Sequence, residues 1–195
     1  MREDETMPDD AELVAELNDL LQLDQDAVGA YTLAIQALPM DAYREALTRY
    51  RADHERHVAE LQELIRSYGG TPVAIPHLPT GVFKLAVQAL GDLGDHGAVL
   101  AAFKTNEGQV RDKYRRHADR LHPPDVDAVV RRAAADEEEH YRWAAEMLER
   151  LGMGPGTLPG TAQQAAERVP GTTADLVERA ERAVMEAAER LRRGG

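Results

Sequence analysis

The sequence predicts an all-α protein: an antiparallel four-helix bundle with a long crossover between helices 2 and 3, followed by a C-terminal amphipathic helix. Three observations lead there. Ala, Leu, Glu and Arg dominate while aromatic residues make up only 5% of the chain, a composition that favours helix over sheet. Apolar residues recur at steps of three and four through four stretches of about 25 residues, the spacing of one helical face. Finally, the chain repeats itself: Ala52-Asp53-His54-Glu55-Arg56-His57 is matched 83 residues later by Ala135-Asp136-Glu137-Glu138-Glu139-His140. At the same offset Leu17 matches Leu100, Asp24 Glu107, Tyr31 Tyr114, Leu38 Leu121, Arg49 Arg132, Glu63 Glu146 and Gly69 Gly152. Self-similarity at one ungapped shift marks an internally duplicated pair of helices.

Taken in order, Asp9 or Asp10 after Pro8 can cap a first helix from about residue 10 to 38. Its stripe is Leu13, Leu17, Leu20, Asp24, Ala27, Tyr31, Ala34 and Leu38. Pro39 stops it and Asp41 caps helix 2, whose stripe is Leu47, Tyr50, His54, His57, Leu61 and Leu64 and whose end is Gly69-Gly70. A connection holding Pro72, Pro76 and Pro79, with a short helical piece near Val82 to Leu90, leads to helix 3 near Asp95. Helix 3 lines up Leu100, Phe103, Glu107, Val110, Tyr114, His117 and Leu121, and ends at Pro123-Pro124. Helix 4 lines up Val126, Val130, Ala133, Glu137, His140, Ala144, Met147 and Leu151. Tight turns make helices 1 and 2, and 3 and 4, antiparallel neighbours, and the long link carries the chain across. Residues 1–152 form this unit; 153–195 form a Gly/Pro linker and a final helix with Leu176, Val177, Ala180, Val184, Ala188 and Leu191 on one face.

Composition narrows the function. The net charge of −12 gathers at the N-terminal end, and no basic cluster is present to neutralise phosphates, so nucleic acid is not an expected partner. No apolar run approaches the ~20 residues of a membrane span and the N-terminus lacks the pattern of a signal peptide, which predicts a cytoplasmic protein. There is no cysteine, which removes disulfides, thiolate catalysis and thiolate metal sites together. Any metal must rest on histidine and carboxylate.

The stripes supply those ligands. Asp24, His54, His57, Glu107, Glu137 and His140 bring one polar group or pair from each of four helices to mid-height, on faces that are otherwise apolar. Burying a polar group without a partner costs several kcal/mol, so a core stripe carrying this many calls for a compensating partner, of which a metal is the obvious one. Singly, each signal is weak, because charges three residues apart on a helix are usually a solvated, ion-paired face. Registration of all of them at one offset is what distinguishes this chain. Tyr50 and His117 also fall on the stripe, where a core or hydrogen-bonded role is the expected one, and Trp143 is expected to pack. Asp53 and Asp136 precede the site positions and are placed either to hydrogen-bond a ligand histidine or to face solvent.

Glu137-Glu138-Glu139-His140 has the form Glu-x-x-His, and His54-Glu55-Arg56-His57 has it with histidine replacing glutamate. With these motifs and the stretch Leu20-Leu21-Gln22-Leu23-Asp24-Gln25-Asp26-Ala27-Val28-Gly29-Ala30-Tyr31, the chain resembles the ferritin-like di-iron carboxylate superfamily over roughly residues 11–151, including rubrerythrin-like proteins and bacterial ferritin-like bundles. The resemblance implies two iron ions, with Mn or Zn as alternatives. It implies Asp24 and Glu107 as terminal ligands, Glu137 as a bridge, and His57 and His140 as one ligand per metal, with Tyr31 and Tyr114 beside the site as candidate catalytic groups. Two departures stand out. Asp24 is a methylene shorter than glutamate, and His54 occupies the place of a bridging carboxylate, so three negative charges stand where four would balance two divalent ions. The remainder would need hydroxide, or only one ion binds tightly, the one near Glu137 and His140; two equally tight ions would instead need solvent or another carboxylate such as Glu55 as the bridge.

Two functions follow. The first is a ferroxidase or peroxide-handling oxidoreductase that uses O2 or peroxide and, lacking cysteine, an external electron donor. The second is a non-catalytic helical module that binds a partner or a protein shell through its tail, with any metal structural. A homo-oligomer is the expected assembly.

Overall fold

The computed structural model describes residues 7–38, 41–74 and 96–154. Among these the structure is entirely helix and connecting turn, in four helices: α1 (Asp10–Ala37), α2 (Asp41–Ser67), α3 (His96–Ala118) and α4 (Pro124–Arg150). The helical piece expected near residues 82–90, most of the connection holding it, and the C-terminal helix of residues 153–195 lie outside the described residues, apart from Met153 and Gly154.

Local chemistry accounts for most boundaries. Asp9 caps α1, its Oδ1 accepting the Glu12 backbone N–H at 2.9 Å. Asp41 opens the first turn of α2, where a carboxylate meets the positive end of the helix dipole. Both second helices of the repeat end in the same way. Gly69 and Gly152 have φ of +75° and +72°, the left-handed conformation that costs other residues roughly 1–2 kcal/mol. Gly70 N–H reaches back to Ile65 O at 2.8 Å and Met153 N–H to Leu148 O at 2.9 Å, closing a Schellman motif at each end. Helix α3 departs from expectation: it stops at Ala118, not at the Pro123-Pro124 pair. Leu121 consequently falls beyond the helix and is 49% exposed, unlike its repeat partner Leu38, which is buried. Leu151, expected on the stripe of α4, is likewise exposed at the helix's end.

Helix α1 packs along α2 and α3 along α4, with further contacts between α2 and α4 and between α1 and α3. Paired residues give the directions. Lys113 bonds Asp19 and Phe103 stacks edge-on to Tyr31, so α1 and α3 run antiparallel. Arg132 bonds Glu60 while Trp143 packs on Tyr50, so α2 and α4 do too. The end of α2 thus lies at the opposite end of the array from the start of α3.

The interior has two apolar layers. One gathers Ala27, Tyr31, Leu38, Leu47, Val99, Phe103 and Leu148; the other gathers Leu13, Leu17, Leu61, Ile65, Val110, Tyr114, Val126 and Val130. At about 1.5–3 kcal/mol per large buried side chain, these layers are what hold the helices together. Between them sit all six of Asp24, His54, His57, Glu107, Glu137 and His140, each at most 1% exposed. No described helix is long and apolar enough to cross a membrane.

The glycines separate two effects that a sequence alone would merge. Gly69→Ala is expected to lower stability by about 1–2 kcal/mol because of its positive φ. Gly29→Ala, inside α1 with nothing within 4 Å of where its new methyl group would stand, is expected to raise it by about 0.5–1 kcal/mol. Denaturant titration of the two variants measures both signs.

Candidate metal centre

Periodicity places the six polar groups. On each helix they continue a three-and-four stripe whose other members are buried apolar residues, so packing those residues inward carries the polar ones with them. The intervening residues turn outward: Glu55 pairs with Arg51 at 3.2 Å, and Glu139 with Arg49 at 3.5 Å, both on the surface. Glu55 is therefore not available as an extra bridge.

The six converge as two overlapping groups. Asp24, His54, His57 and Glu137 form one, and His54, Glu107, Glu137 and His140 the other, with the potential ligand atoms within each group all inside 4.8 Å of one another. His54 and Glu137 belong to both. These are equivalent positions of the repeat, and the repeat is visible in the contacts. His57 Nε2 lies 3.0 Å from Asp136 Oδ2, and His140 Nε2 lies 3.2 Å from Asp53 Oδ2. Each half's outer aspartate thus holds the other half's histidine. Of the two readings open for Asp53 and Asp136, this is the hydrogen-bonded one. Nothing in the sequence singles out Arg56, yet its guanidinium joins the two outer aspartates, donating to Asp53 Oδ1 at 2.8 Å and Asp136 Oδ2 at 2.7 Å.

The halves differ in how well they are satisfied. Asp24 accepts from Tyr114 Oη through Oδ2, while Oδ1 lies 2.8 Å from His54 Nδ1 and 3.2 Å from His57 Nδ1. Its counterpart Glu107 is held more loosely: the Tyr31 hydroxyl is directed at it but stands beyond ordinary hydrogen-bond distance. Among the described residues neither oxygen of Glu107, neither oxygen of Glu137, nor His140 Nδ1, His54 Nε2 or Tyr31 Oη has a hydrogen-bond partner. His140 Nδ1 stands 3.7 Å from Glu107 Oε2 and 3.6 Å from Glu137 Oε2. His54 Nδ1 is 3.4 Å from Glu137 Oε1. These separations are long for a hydrogen bond. The two to Glu137 fall within the edges of a tetrahedron about a cation with bonds of ~2.0–2.2 Å, which are about 3.3–3.6 Å, and the one to Glu107 lies just beyond them.

Electrostatics reflect the crowding of charge. Burial pushes Glu107 up, and the neighbouring Glu137 carboxylate pushes it further, to about 7. For His54 burial alone would favour the neutral ring, but Glu137, Asp24 and Glu107 outweigh it and raise it to about 10. In His57 burial is likewise outweighed, by Asp136 and Asp24, giving about 9. Asp24 is lowered: burial opposes its charge, and its bonds to His54 and His57 prevail. Burial holds Tyr31 and Tyr114 well above the usual phenol range, reinforced by Glu107 and Glu137 for the first and by Asp24 for the second. Imidazolium charge can therefore offset carboxylate charge without a metal. It does not donate a bond to the four free oxygens of Glu107 and Glu137. A divalent cation does both, and His/carboxylate donors suit Fe, Zn or Mn.

Tyr50 and Trp143 pack as expected. Tyr50 lies 4.4 Å from the His140 ring and accepts a bond from Arg49, and Trp143 packs against Tyr43 and Tyr50. His117 points elsewhere, toward Glu16.

A cation entering this centre displaces protons. Glu107 is raised to about 7 and His54, which faces Glu137, to about 10, so a cation set among these groups takes the place of protons they hold at pH 7.5. Binding is expected to release at least one proton at pH 7.5 and to tighten as pH rises toward 9. Calorimetry in buffers of different ionisation enthalpy counts those protons.

Among known proteins, a domain of unknown function (DUF2383) matches residues 12–81. That span holds Asp24, Tyr31, His54 and His57 and stops short of their repeat partners. Neither the curated proteins nor the solved structures gave a match.

Proposed function

We propose that the chain is a ferritin-like four-helix bundle that binds divalent metal, iron foremost, between its two apolar layers and uses it in oxidation with O2 or peroxide. One observation carries the metal reading: two fully buried glutamates, Glu107 and Glu137, whose four oxygens have no hydrogen-bond donor beside an equally unpartnered His140 Nδ1. An uncompensated buried carboxylate costs several kcal/mol, and a cation at that point compensates both.

The same observation ranks the two groups. Asp53 takes the Nε2 side of His140, so the Nδ1 lone pair is directed toward Glu107 and Glu137. That arrangement of an outer carboxylate orienting a ligand imidazole is the usual support of a metal histidine. The ion held by Glu107, Glu137 and His140 needs no internal bond broken. The position at Asp24 and His57 requires Asp24 to exchange its bonds from Tyr114, His54 and His57, and His54 cannot bridge as a glutamate does. The first position is the tighter one.

Redox-active ions bound here would supply the electrons for O2 or peroxide reduction. The protein's own residues set the conditions. Tyr31 Oη keeps its proton and is directed at Glu107 without a close bond to it, which makes it the group positioned to hydrogen-bond an oxygen species or to pass it a proton. Tyr114 is committed to Asp24 and orients that carboxylate. The apolar layers exclude bulk water from both. Without cysteine, electrons for repeated turnover come from an external donor.

Anaerobic Fe(II) titration followed by oxygen uptake tests the reading. One tight ion per chain is expected, with oxygen consumed on exposure; Glu137→Gln abolishes binding, and His54→Glu raises the stoichiometry toward two and increases the oxidation rate. Two equally tight sites unaffected by His54→Glu would contradict the ranking. Failure of Fe(II), Mn(II) and Zn(II) alike to bind would overturn the metal reading.

A further inference from the structure

A second cluster of ligand atoms lies away from the centre, built from three separate segments. Glu16 belongs to α1, His117 to the last turn of α3, and His122 to the connection between α3 and α4. Glu16, His117 and His122 offer ligand atoms all within 4.8 Å of one another. Glu16 precedes Asp24 by eight residues on α1, roughly 12 Å along the helix axis, so the two clusters do not share a ligand.

The geometry is that of a convergent donor set. His122 Nε2 lies 3.3 Å and His117 Nδ1 3.6 Å from the same atom, Glu16 Oε2. A tetrahedral cation with bonds of ~2.0–2.2 Å separates its ligands by about 3.3–3.6 Å. Arg120 pairs with the other oxygen, Oε1, which leaves Oε2 to the imidazoles and keeps the carboxylate in place. The two rings lie 6.5 Å apart and near parallel, at 27°. His117 Nδ1 has no hydrogen-bond partner, and the His122 side chain is only 2% exposed. His117 and Glu16 side chains are 12% and 16% exposed, so an ion can enter and a water can complete its coordination.

We propose that Glu16, His117 and His122 form a second, independent divalent-metal site of the zinc type at this end of the molecule. Two imidazoles and one carboxylate with a fourth position open to water is a set well suited to Zn2+. The bound ion ties α1 to the corner where α3 stops early, next to the exposed Leu121. Binding here raises stability without touching the central ligands.

Zn2+ titration of the full chain, read by metal content and by thermal unfolding, tests this. His117→Gln and His122→Gln are each expected to remove one Zn2+ per chain and the zinc-dependent rise in Tm associated with it, with helical content unchanged. In Glu107→Gln/Glu137→Gln, which disables the central site, one Zn2+ is expected to remain and to disappear when His117→Gln is added. With Co2+ as the probe, that remaining site is expected to show the visible absorption of a tetrahedral ion. Loss of all zinc in the central variant while it stays folded, or a zinc content indifferent to both histidine substitutions, would overturn the proposal. Because the variants address separate ligands, failure of either site leaves the other's result readable.

Discussion

The structure turns on the close approach of the Glu107 and Glu137 carboxylates, both buried and both without a donor. Coulomb repulsion between two such charges at low effective dielectric is several kcal/mol at contact distances, and desolvation opposes each charge separately. Three imidazoles surround the pair, and the elevated affinity of His54 for protons is the response of the protein to that negative field, to which Asp24 adds. Everything else at mid-height supports this arrangement. Asp53 and Asp136 orient the histidines from outside, Arg56 joins those two aspartates, and the apolar layers above and below fix the helices that carry them.

An internal repeat of this kind need not give equal halves. The outer aspartates have kept their reciprocal roles and both terminating glycines their positive φ. Elsewhere the halves have diverged. Asp24 is saturated with donors where Glu107 has only the more distant Tyr31 hydroxyl directed at it, and His54 stands opposite Glu137. Arg56 occupies the repeat position of Glu139, so one guanidinium on one side serves both aspartates. These differences fall on one side of the centre, which is the physical basis for ranking its two positions.

Much of this was legible from sequence because it rests on periodicity. Stripes at three and four residues identify which side chains are carried inward, and the shared offset identifies which of them are equivalent; all six central residues follow from those two rules. Relations set by tertiary geometry were not legible. Nothing local indicates that Asp53 reaches the histidine of the other half, or that Arg56 spans both aspartates. The early end of α3 was hidden because Leu121 continues the apolar spacing and Pro123-Pro124 offers an obvious stop, while the chain leaves the helix at Ala118. That departure also concealed the Glu16, His117 and His122 cluster, which depends on a non-helical residue and on a glutamate off the stripe.

If a cation compensates the free oxygens of Glu107 and Glu137, it should be visible directly. Anomalous diffraction at the iron edge, from crystals of the protein loaded anaerobically with Fe(II), locates it without reference to activity. A strong peak is expected within coordination distance of Glu107, Glu137 and His140 Nδ1, with a weaker one or none near Asp24 and His57. A map without iron at that point, in which ordered water donates to the four carboxylate oxygens, would contradict the metal assignment.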